Sequence, residues 1–347
     1  MEIRKLNTLR GIAALIVVFS HYSNETDILH GVLGNGAGQF GVMLFFILSG
    51  FLMSYLYLNK KFDVENFRYY AVARIARVVP LFVLVVLLSF LLQAVGIQGI
   101  FYAITDVSSL LSHLFLLSGT SVLWTIPPEI QFYILFLFLW WLYLRRKGLL
   151  YLFILAIYFG LIFLDFSGPH WMVLGLEVHA YLIPSLPYFF IGIVFGRIYC
   201  AWEAPRYLKK DIFVLALLGL PLMFPDIFTF LTGRTHKMWA DVGIFLAVSA
   251  VFFALIFLVP EDNRLLSNPL GDFLGKISYS LYLLHVPILS LIVLPSKKYP
   301  GFFLFLFIAL SLTIAFVSYS LIEAPARKRI RSIASSSRIQ SMGYARH

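Results

Sequence analysis

Long apolar runs, most of them close to 20 residues, leave this chain few possible folds. A helix needs about 20 apolar residues to cross the roughly 30 Å hydrocarbon core of a bilayer. The chain contains ten candidate runs, which are 6–23, 40–58, 78–96, 130–145, 148–165, 180–199, 211–230, 239–259, 273–294 and 301–322. They predict an all-α, polytopic membrane helix bundle of about ten transmembrane helices. The shorter apolar segment 108–119 favours a re-entrant or interfacial piece.

The composition excludes the main soluble alternatives. Hydrophobic residues make up 61% of the 347 residues and charged residues 13%, against roughly half and a quarter in ordinary soluble domains. Such an apolar chain is not disordered. Cys200 is the single cysteine, which excludes a disulfide scaffold and a cysteine-based zinc site. We expect no metal site and no tightly bound cofactor.

The distribution of lysine and arginine predicts the orientation, because cytoplasmic loops are enriched in both. With the N-terminus in the cytoplasm, all 27 of these residues lie on the cytoplasmic side except Arg234, Lys237, Lys297 and Lys298. Both termini are therefore predicted to be cytoplasmic. The basic residues behind the net charge of +10 lie mostly at the cytoplasmic surface of the membrane, so we expect no nucleic-acid partner. Residues 1–325 are predicted to form the transmembrane domain, and 326–347 a basic cytoplasmic tail on anionic lipid.

The first apolar run carries Arg10 and His21, which share one helix face. They are eleven residues apart, which gives an angular offset of about 20° and an axial separation of about 16 Å. Charge at mid-bilayer costs roughly 3 kcal/mol on insertion scales and marks function. The competing interpretation is an interfacial anchor plus a hydrogen-bonded core histidine.

Arg74 and Arg77 lie at i and i+3 where the third run begins, so they share a helix face. Two guanidinium groups on one face can clamp a phosphate, because each presents a planar fork of donors. The alternative is the ordinary positive charge of a cytoplasmic helix end.

An acidic residue precedes the fourth run on its predicted outer side. Glu129 follows Trp124, Pro127 and Pro128. It is either a favourable partner for the helix dipole or a functional carboxylate.

One polar stripe marks the ninth run, where Ser278, Tyr282 and His285 occupy positions i, i+4 and i+7. On an apolar helix such a stripe faces the bundle or a water-filled cavity. Tyr279 lies off the stripe. Hydrogen bonding to a neighbouring helix is the structural alternative.

Two further patterns carry little weight. Residues 36–41 spell GxGxxG, but no strand precedes them, so the glycines are expected to serve a tight loop and close helix packing rather than a dinucleotide. His170, Glu177 and His179 lie in a predicted external loop, where they could contact a polar substrate or bind a metal; their spacing favours neither.

Six motifs occur together and in order along the chain. They are RGIAALIVVFSH (10–21), GVMLFFILSGFL (41–52), RIARVVPLF (74–82), WTIPPEIQFY (124–133), ISYSLYLLHVPI (277–288) and IEAPARK (322–328). Over about residues 6–328 the chain resembles the acyltransferase-3 family of integral membrane acyltransferases, which includes bacterial O-antigen and exopolysaccharide O-acetyltransferases.

The resemblance implies a ten-helix bundle of the bacterial inner membrane that moves an acyl group, often acetyl, from cytoplasmic acyl-CoA to a sugar hydroxyl near the outer side. The family implicates residues that match Arg10, His21, Arg74, Arg77 and Glu129. The expected partners are acyl-CoA, a carbohydrate acceptor and the lipid bilayer. The fused esterase-like domain of some relatives is not found in this sequence, so a separate extracytoplasmic partner protein could supply its function.

Combined with the predicted topology, this gives each residue an expected role. Arg10, Arg74 and Arg77 would hold the phosphates of acyl-CoA, and His21 and Glu129 would be catalytic. His21 is either the general base for the acceptor hydroxyl or a covalent acyl carrier. The supporting or acceptor-binding residues would be Trp124, Tyr282 and His285.

The rival from another class is a transporter or flippase, which would explain intramembrane charges equally well. It predicts inverted repeats, which the sequence does not show, and no consumption of acyl-CoA.

Overall fold

The computed structural model describes residues 3–164, 170–173 and 176–332. Within these residues the chain is helical apart from one short β-hairpin and the connecting loops. The α-helices are α1 (Arg4–Thr26), α2 (Gly38–Tyr57), α3 (Val64–Ala94), α4 (Val107–Leu114), α5 (Ile126–Arg145), α6 (Lys147–Leu164), α7 (Leu182–Ala201), α8 (Gly219–Leu222), α9 (Pro225–Thr232), α10 (Val242–Phe253), α11 (Pro269–Lys298) and α12 (Pro300–Ser318).

Short helical turns extend several of these elements. Two π-helical segments continue α10 and α12, and they are Ala254–Leu258 and Tyr319–Glu323. The 3-10 turns are Ile28–Gly31, Ser121–Thr125, Arg206–Leu208, Asp211–Leu218 and Met238–Ala240. The helix that begins at Pro300 thus runs on to Ser332.

The hairpin pairs β1 (His170–Val173) antiparallel to β2 (Leu176–His179). It occupies the predicted external loop. The expectation that His170 and Glu177 contact a substrate or metal concerns side chains outside the described residues. So does most of the predicted basic tail, since residues 333–347 are not described.

Six helices within the described residues are long and apolar enough to cross a membrane. They are α2, α3, α5 with its preceding turn, α7, α11 and α12 with its continuation. The prediction of a multi-pass helical membrane protein is confirmed to this extent. The count of ten crossings and the cytoplasmic placement of both termini stay predictions.

Three of the other four predicted runs do not meet that test, and the fourth meets it only as a bent pair of helices. α1 is long enough yet rich in polar residues. Val242–Leu258 is short, and only Lys147–Gly160 of the 18-residue α6 enters the comparison. The run 211–230 is bent by 90° between Asp211–Leu222 and Pro225–Thr232. Pro225 begins the second piece, where its missing N–H costs no helical hydrogen bond.

Side-chain caps fix where the two longest site-bearing helices begin. The Asp63 side chain accepts a hydrogen bond from the Asn66 N–H (2.8 Å) before α3. The Asn268 side chain accepts one from the Gly271 N–H (2.8 Å) before α11. Such caps satisfy backbone donors that the helix leaves unpaired, so the register of the residues that follow is well defined.

Glycines let α1 approach its neighbours closely. A Cβ atom at Gly11 would lie 2.5 Å from the Leu274 Cβ of α11, and one at Gly41 of α2 would clash with the Ala13 carbonyl oxygen. The expectation that Gly41 serves close packing is therefore confirmed. α1 packs between α2 and α11, and this packing holds Arg10 and His21 against those helices.

Lys5 anchors the start of α1 to the end of α10. Its side chain is fully buried, and Nζ donates to the carbonyl oxygens of Ile256 (2.7 Å) and Val259 (2.8 Å). The same atom lies 2.9 Å from Glu261 Oε1. Lys5 thus supplies donors to carbonyls that the helix end leaves unpaired, a structural role that its cytoplasmic charge did not reveal.

Candidate active site

A small cavity lies where five helices meet. Its internal space is about 40 Å³, enough for a few water-sized molecules. The polar side chains of its wall come from α1, α2, α3, α5 and α11, and they include Arg10, Ser49, Arg77, Glu129, Ser278, Tyr279 and Tyr282. These residues belong to five separate sequence motifs, and the fold brings them to one space.

Arg10 and Arg77 give the cavity a surplus of positive charge. Arg10 lies within electrostatic range of Arg74, Arg77 and Glu129. Charges interact strongly away from bulk water, and two neighbouring guanidinium groups are only partly balanced by one carboxylate. This part of the cavity is therefore suited to an anionic group.

Glu129 is held in one orientation by two hydroxyl donors. Ser49 Oγ donates to Glu129 Oε1 (3.0 Å), and the Tyr133 hydroxyl donates to the same oxygen in a short hydrogen bond. Oε2 accepts no hydrogen bond from the described residues. Glu129 lies in the first turn of α5, after Pro127 and Pro128. A fixed carboxylate with one open oxygen can orient a hydroxyl or accept its proton.

His21 and His285 form a hydrogen-bonded pair between α1 and α11. His21 Nδ1 lies 2.9 Å from His285 Nε2, and the two rings stack with their centroids 5.0 Å apart. His285 is fully buried. Its other ring nitrogen, Nδ1, lies 3.1 Å from the Leu281 carbonyl oxygen.

These contacts assign the tautomers of the neutral pair. A carbonyl oxygen only accepts, so His285 Nδ1 carries the proton and His285 Nε2 is an acceptor. His21 Nδ1 must then be the donor. The remaining nitrogen, His21 Nε2, has an unprotonated lone pair, which is the form that a base or a nucleophile requires.

Tyr282 connects the cavity to this histidine pair. Its ring lines the cavity, and its centroid lies 6.2 Å from that of His285 and 5.8 Å from that of Phe45. Its hydroxyl donates to the Val122 carbonyl oxygen (3.1 Å) and accepts from Thr125 Oγ1 (3.1 Å). These bonds join α11 to the turn that precedes α5.

Tyr102, in the loop between α3 and α4, contacts α11 at Leu283, the residue after Tyr282. The Tyr102 hydroxyl donates to the Leu283 carbonyl oxygen (2.7 Å). Burial raises the pKa of Tyr102 well above its usual range, so the proton needed for this hydrogen bond is retained.

Four members of the predicted set lie outside the cavity wall, namely the His21–His285 pair described above, Arg74 and Trp124. The Arg74 guanidinium lies over the rings of Tyr57 (5.9 Å) and Tyr133 (5.8 Å). The Trp124 ring packs against Tyr181 (5.3 Å) and Trp239 (5.9 Å) in an aromatic cluster. Sequence reasoning grouped Arg74 with Arg77, but only Arg77 faces the cavity.

Three contributors escaped the sequence-based prediction. Tyr279 lies off the predicted polar stripe, yet it lines the cavity and donates to the Val78 carbonyl oxygen (2.7 Å). Ser49 and Tyr133 hold Glu129. Ser49 and Tyr133 occur inside the quoted motifs around 41–52 and 124–133, so their position in those blocks was the available signal.

The described residues contain no group of three or more His, Cys, Asp or Glu side chains placed to hold a metal ion.

Arg10 lines the cavity and His21 contacts α11, as a shared inward face requires. The roles given to these residues stay predictions.

Comparison with known proteins agrees with the resemblance. The family model described as an acyltransferase domain of the acyltransferase-3 family matches residues 3–320. The O-acetyltransferases OatA of Staphylococcus aureus strains NCTC 8325 and COL are 26% identical over 93% of this chain. A further S. aureus COL protein, provisionally named an O-acetyltransferase, is 25% identical over the same share.

The chain spans 57% of the length of these curated relatives. No solved structure matches at a significant level. Because the family model covers almost the whole chain, the protein belongs to the acyltransferase-3 family.

Proposed function

We propose that this protein is an O-acyltransferase of the bacterial inner membrane that moves an acetyl group from cytoplasmic acyl-CoA to a hydroxyl of a cell-envelope or secreted glycan. The observation that carries this proposal is one arrangement in the core. Arg10, Arg77 and Glu129 line a cavity, and its Tyr282 wall contacts the His21–His285 pair. Family membership supports acyl transfer, and the names of the relatives support acetyl and an oxygen acceptor.

The acyl-CoA donor would approach from the predicted cytoplasmic end of the bundle, where Arg10, Arg74 and Arg77 lie. The cavity is too small for a nucleotide, so the anionic part of acyl-CoA would stay outside it, near Arg74 and Arg77. The pantetheine arm would extend along the face of α1 that joins Arg10 to His21, which are about 16 Å apart along the axis. Acyl-CoA is here a substrate, and no tightly bound cofactor is required.

His21 would act through its unprotonated Nε2. As a general base, it takes the proton of the acceptor hydroxyl while that oxygen attacks the thioester carbonyl carbon. The new C–O bond replaces the C–S bond, and the CoA sulfur takes the proton from the imidazolium. As a nucleophile, Nε2 attacks the thioester carbonyl carbon and the C–S bond breaks, so CoA leaves as the thiolate; the acceptor oxygen then displaces the imidazole, and the hydroxyl proton neutralises the thiolate.

Glu129 would orient the acceptor. Its Oε1 is occupied by Ser49 and Tyr133, which leaves Oε2 for the sugar hydroxyl or for a protonated histidine. Trp124 lies in the turn before α5 and would border the acceptor path with its aromatic neighbours. A separate extracytoplasmic protein could receive or pass on the acyl group.

The test uses the full chain in lipid nanodiscs with radiolabelled acetyl-CoA and isolated envelope glycans. We expect CoA release and label in one glycan fraction, both lost in His21→Ala. The matched control is His30→Asn, which removes an exposed histidine and keeps a residue that tolerates the positive φ found there. Full transfer by His21→Ala would exclude both roles of His21, and absence of CoA release by the wild type would exclude the function.

A further inference from the structure

Guanidinium groups continue beyond the cavity, on the helix that follows α12. The π-helical segment Tyr319–Glu323 packs on α3, so the helix turns after it lie near Arg74 and Arg77. Arg327 is within electrostatic range of Arg77 and Arg331. Arg331 is in range of Tyr57, whose ring also lies beneath Arg74.

This group of four arginines, Arg74, Arg77, Arg327 and Arg331, is called the arginine mouth below. Its acidic contact is Glu323, whose buried Oε2 lies 3.3 Å from Arg327 Nη2. Oε1 of the same carboxylate accepts from the Ser280 hydroxyl. Glu323 contacts Arg327 and lies within electrostatic range of Arg77, so this one carboxylate leaves the four guanidinium groups with a net positive charge.

Two donors in the arginine mouth are buried and unsatisfied. Nε of Arg74 and Nε of Arg327 have no hydrogen-bond partner among the described residues. A buried donor without a partner costs free energy, and neighbouring like charges add to that cost. An anion with several acceptor oxygens would offset both.

The spacing along the donor indicates which anion fits. If the thioester lies near His21, the arm follows the Arg10 face of α1 towards the cytoplasmic end, and the pyrophosphate would lie outside the cavity near Arg74 and Arg77. The remaining charge of CoA, the 3′-phosphate on its ribose, is further out. Arg327 and Arg331 occupy that outer position, at i and i+4 on one helix face.

We propose that Arg327 and Arg331 bind the 3′-phosphate of the acyl-CoA donor. This inference rests on the proposed function and deepens it. Guanidinium groups hold phosphate oxygens through paired N–H donors, and a dianion between two of them relieves their mutual repulsion. The phosphate of an anionic lipid headgroup has the same chemistry, so the experiment must separate the two sources.

The experiment compares two donors that differ only at this position, acetyl-CoA and acetyl-3′-dephospho-CoA, in nanodiscs. We expect Arg331→Gln to raise KM for acetyl-CoA about tenfold, the loss of one charge-assisted hydrogen bond. For the dephospho donor, wild type and variant should share one raised KM. Arg329→Gln is the control, because this exposed arginine lies two positions away on the other side of the helix and removes the same charge.

Arg327→Gln should act like Arg331→Gln, but it also removes the ion-pair partner of the buried Glu323 and would destabilise the helix end. Arg331 is exposed, so its variant tests the proposal without that cost. A calorimetric titration with adenosine 3′,5′-bisphosphate gives a readout independent of turnover, and its affinity should fall about tenfold in Arg331→Gln.

Three results would overturn the proposal while leaving acyl transfer intact. They are an unchanged KM in Arg331→Gln, an equal rise of KM for both donors, or an effect that occurs in phosphatidylglycerol nanodiscs and vanishes in phosphatidylcholine ones. Failure of the wild type to use acetyl-CoA would instead remove the proposed function, and this inference with it.

Discussion

His21 Nδ1 lies 2.9 Å from His285 Nε2, although 264 residues separate them in the chain. The Leu281 carbonyl oxygen determines the tautomer of His285, and His285 in turn determines the tautomer of His21. The hydrogen-bond partners of the two rings are each other and a backbone carbonyl, which are uncharged groups. The pair is therefore a neutral relay that fixes a lone pair on His21 Nε2.

His285→Phe tests this relay. Phenylalanine fills the space but accepts no hydrogen bond, so His21 is free to adopt the unproductive tautomer. We expect kcat to fall 10- to 100-fold with little change in KM for acetyl-CoA, measured by CoA release. His285→Gln, which can both donate and accept, should recover part of the rate. Wild-type kcat in His285→Phe would contradict the positioning role.

Removing the hydroxyl groups that hold Glu129 should weaken catalysis in a coupled manner. Ser49→Ala and Tyr133→Phe each remove one hydrogen bond to Oε1. We expect each to lower kcat about 10- to 100-fold, the range for one hydrogen bond to a charged group, and Glu129→Gln to lower it by about 10² or more.

The double variant of Ser49 and Tyr133 gives the sharper measurement. Because both hydroxyls serve one oxygen, the two effects should not be additive. Strict multiplication of the two rate losses would indicate that these residues act independently of Glu129.

Lys5→Met should destabilise the protein far more than Arg4→Met. Lys5 is 0% exposed and bonded to two carbonyl oxygens, whereas the Arg4 side chain is 45% exposed in its ion pair with Asp272. We expect a loss of about 2–3 kcal/mol for Lys5→Met and under about 1 kcal/mol for Arg4→Met. Thermal unfolding of the purified variants in one detergent measures the difference, and equal melting temperatures would refute the anchoring role.

The predicted orientation can be checked with single cysteines. In a Cys200→Ser background, which removes the only native thiol, Lys61→Cys and Lys237→Cys introduce one exposed site each. Ten crossings with cytoplasmic termini place Lys237 outside and Lys61 inside. A membrane-impermeant maleimide should therefore label Lys237→Cys in intact cells, and Lys61→Cys only after lysis. The reverse pattern would invert the topology.

The sequence by itself determined those properties that depend on local pattern. Apolar runs established a membrane bundle, and the eleven-residue spacing established that Arg10 and His21 share a face, because helix geometry repeats along the chain. The ordered motifs identified the family. The sequence could not count the crossings, since the run 211–230 is bent by 90° and Val242–Leu258 is short.

Only the tertiary structure decided which distant side chains meet. Periodicity describes one helix at a time, so it does not reveal that His285 faces His21 or that Ser49 reaches Glu129. The tertiary structure also distinguishes Arg77 from Arg74, because the Arg74 guanidinium lies over an aromatic ring while Arg77 lines the cavity. Contacts between helices depend on the angles and distances at which whole helices pack, and no single run of residues encodes those.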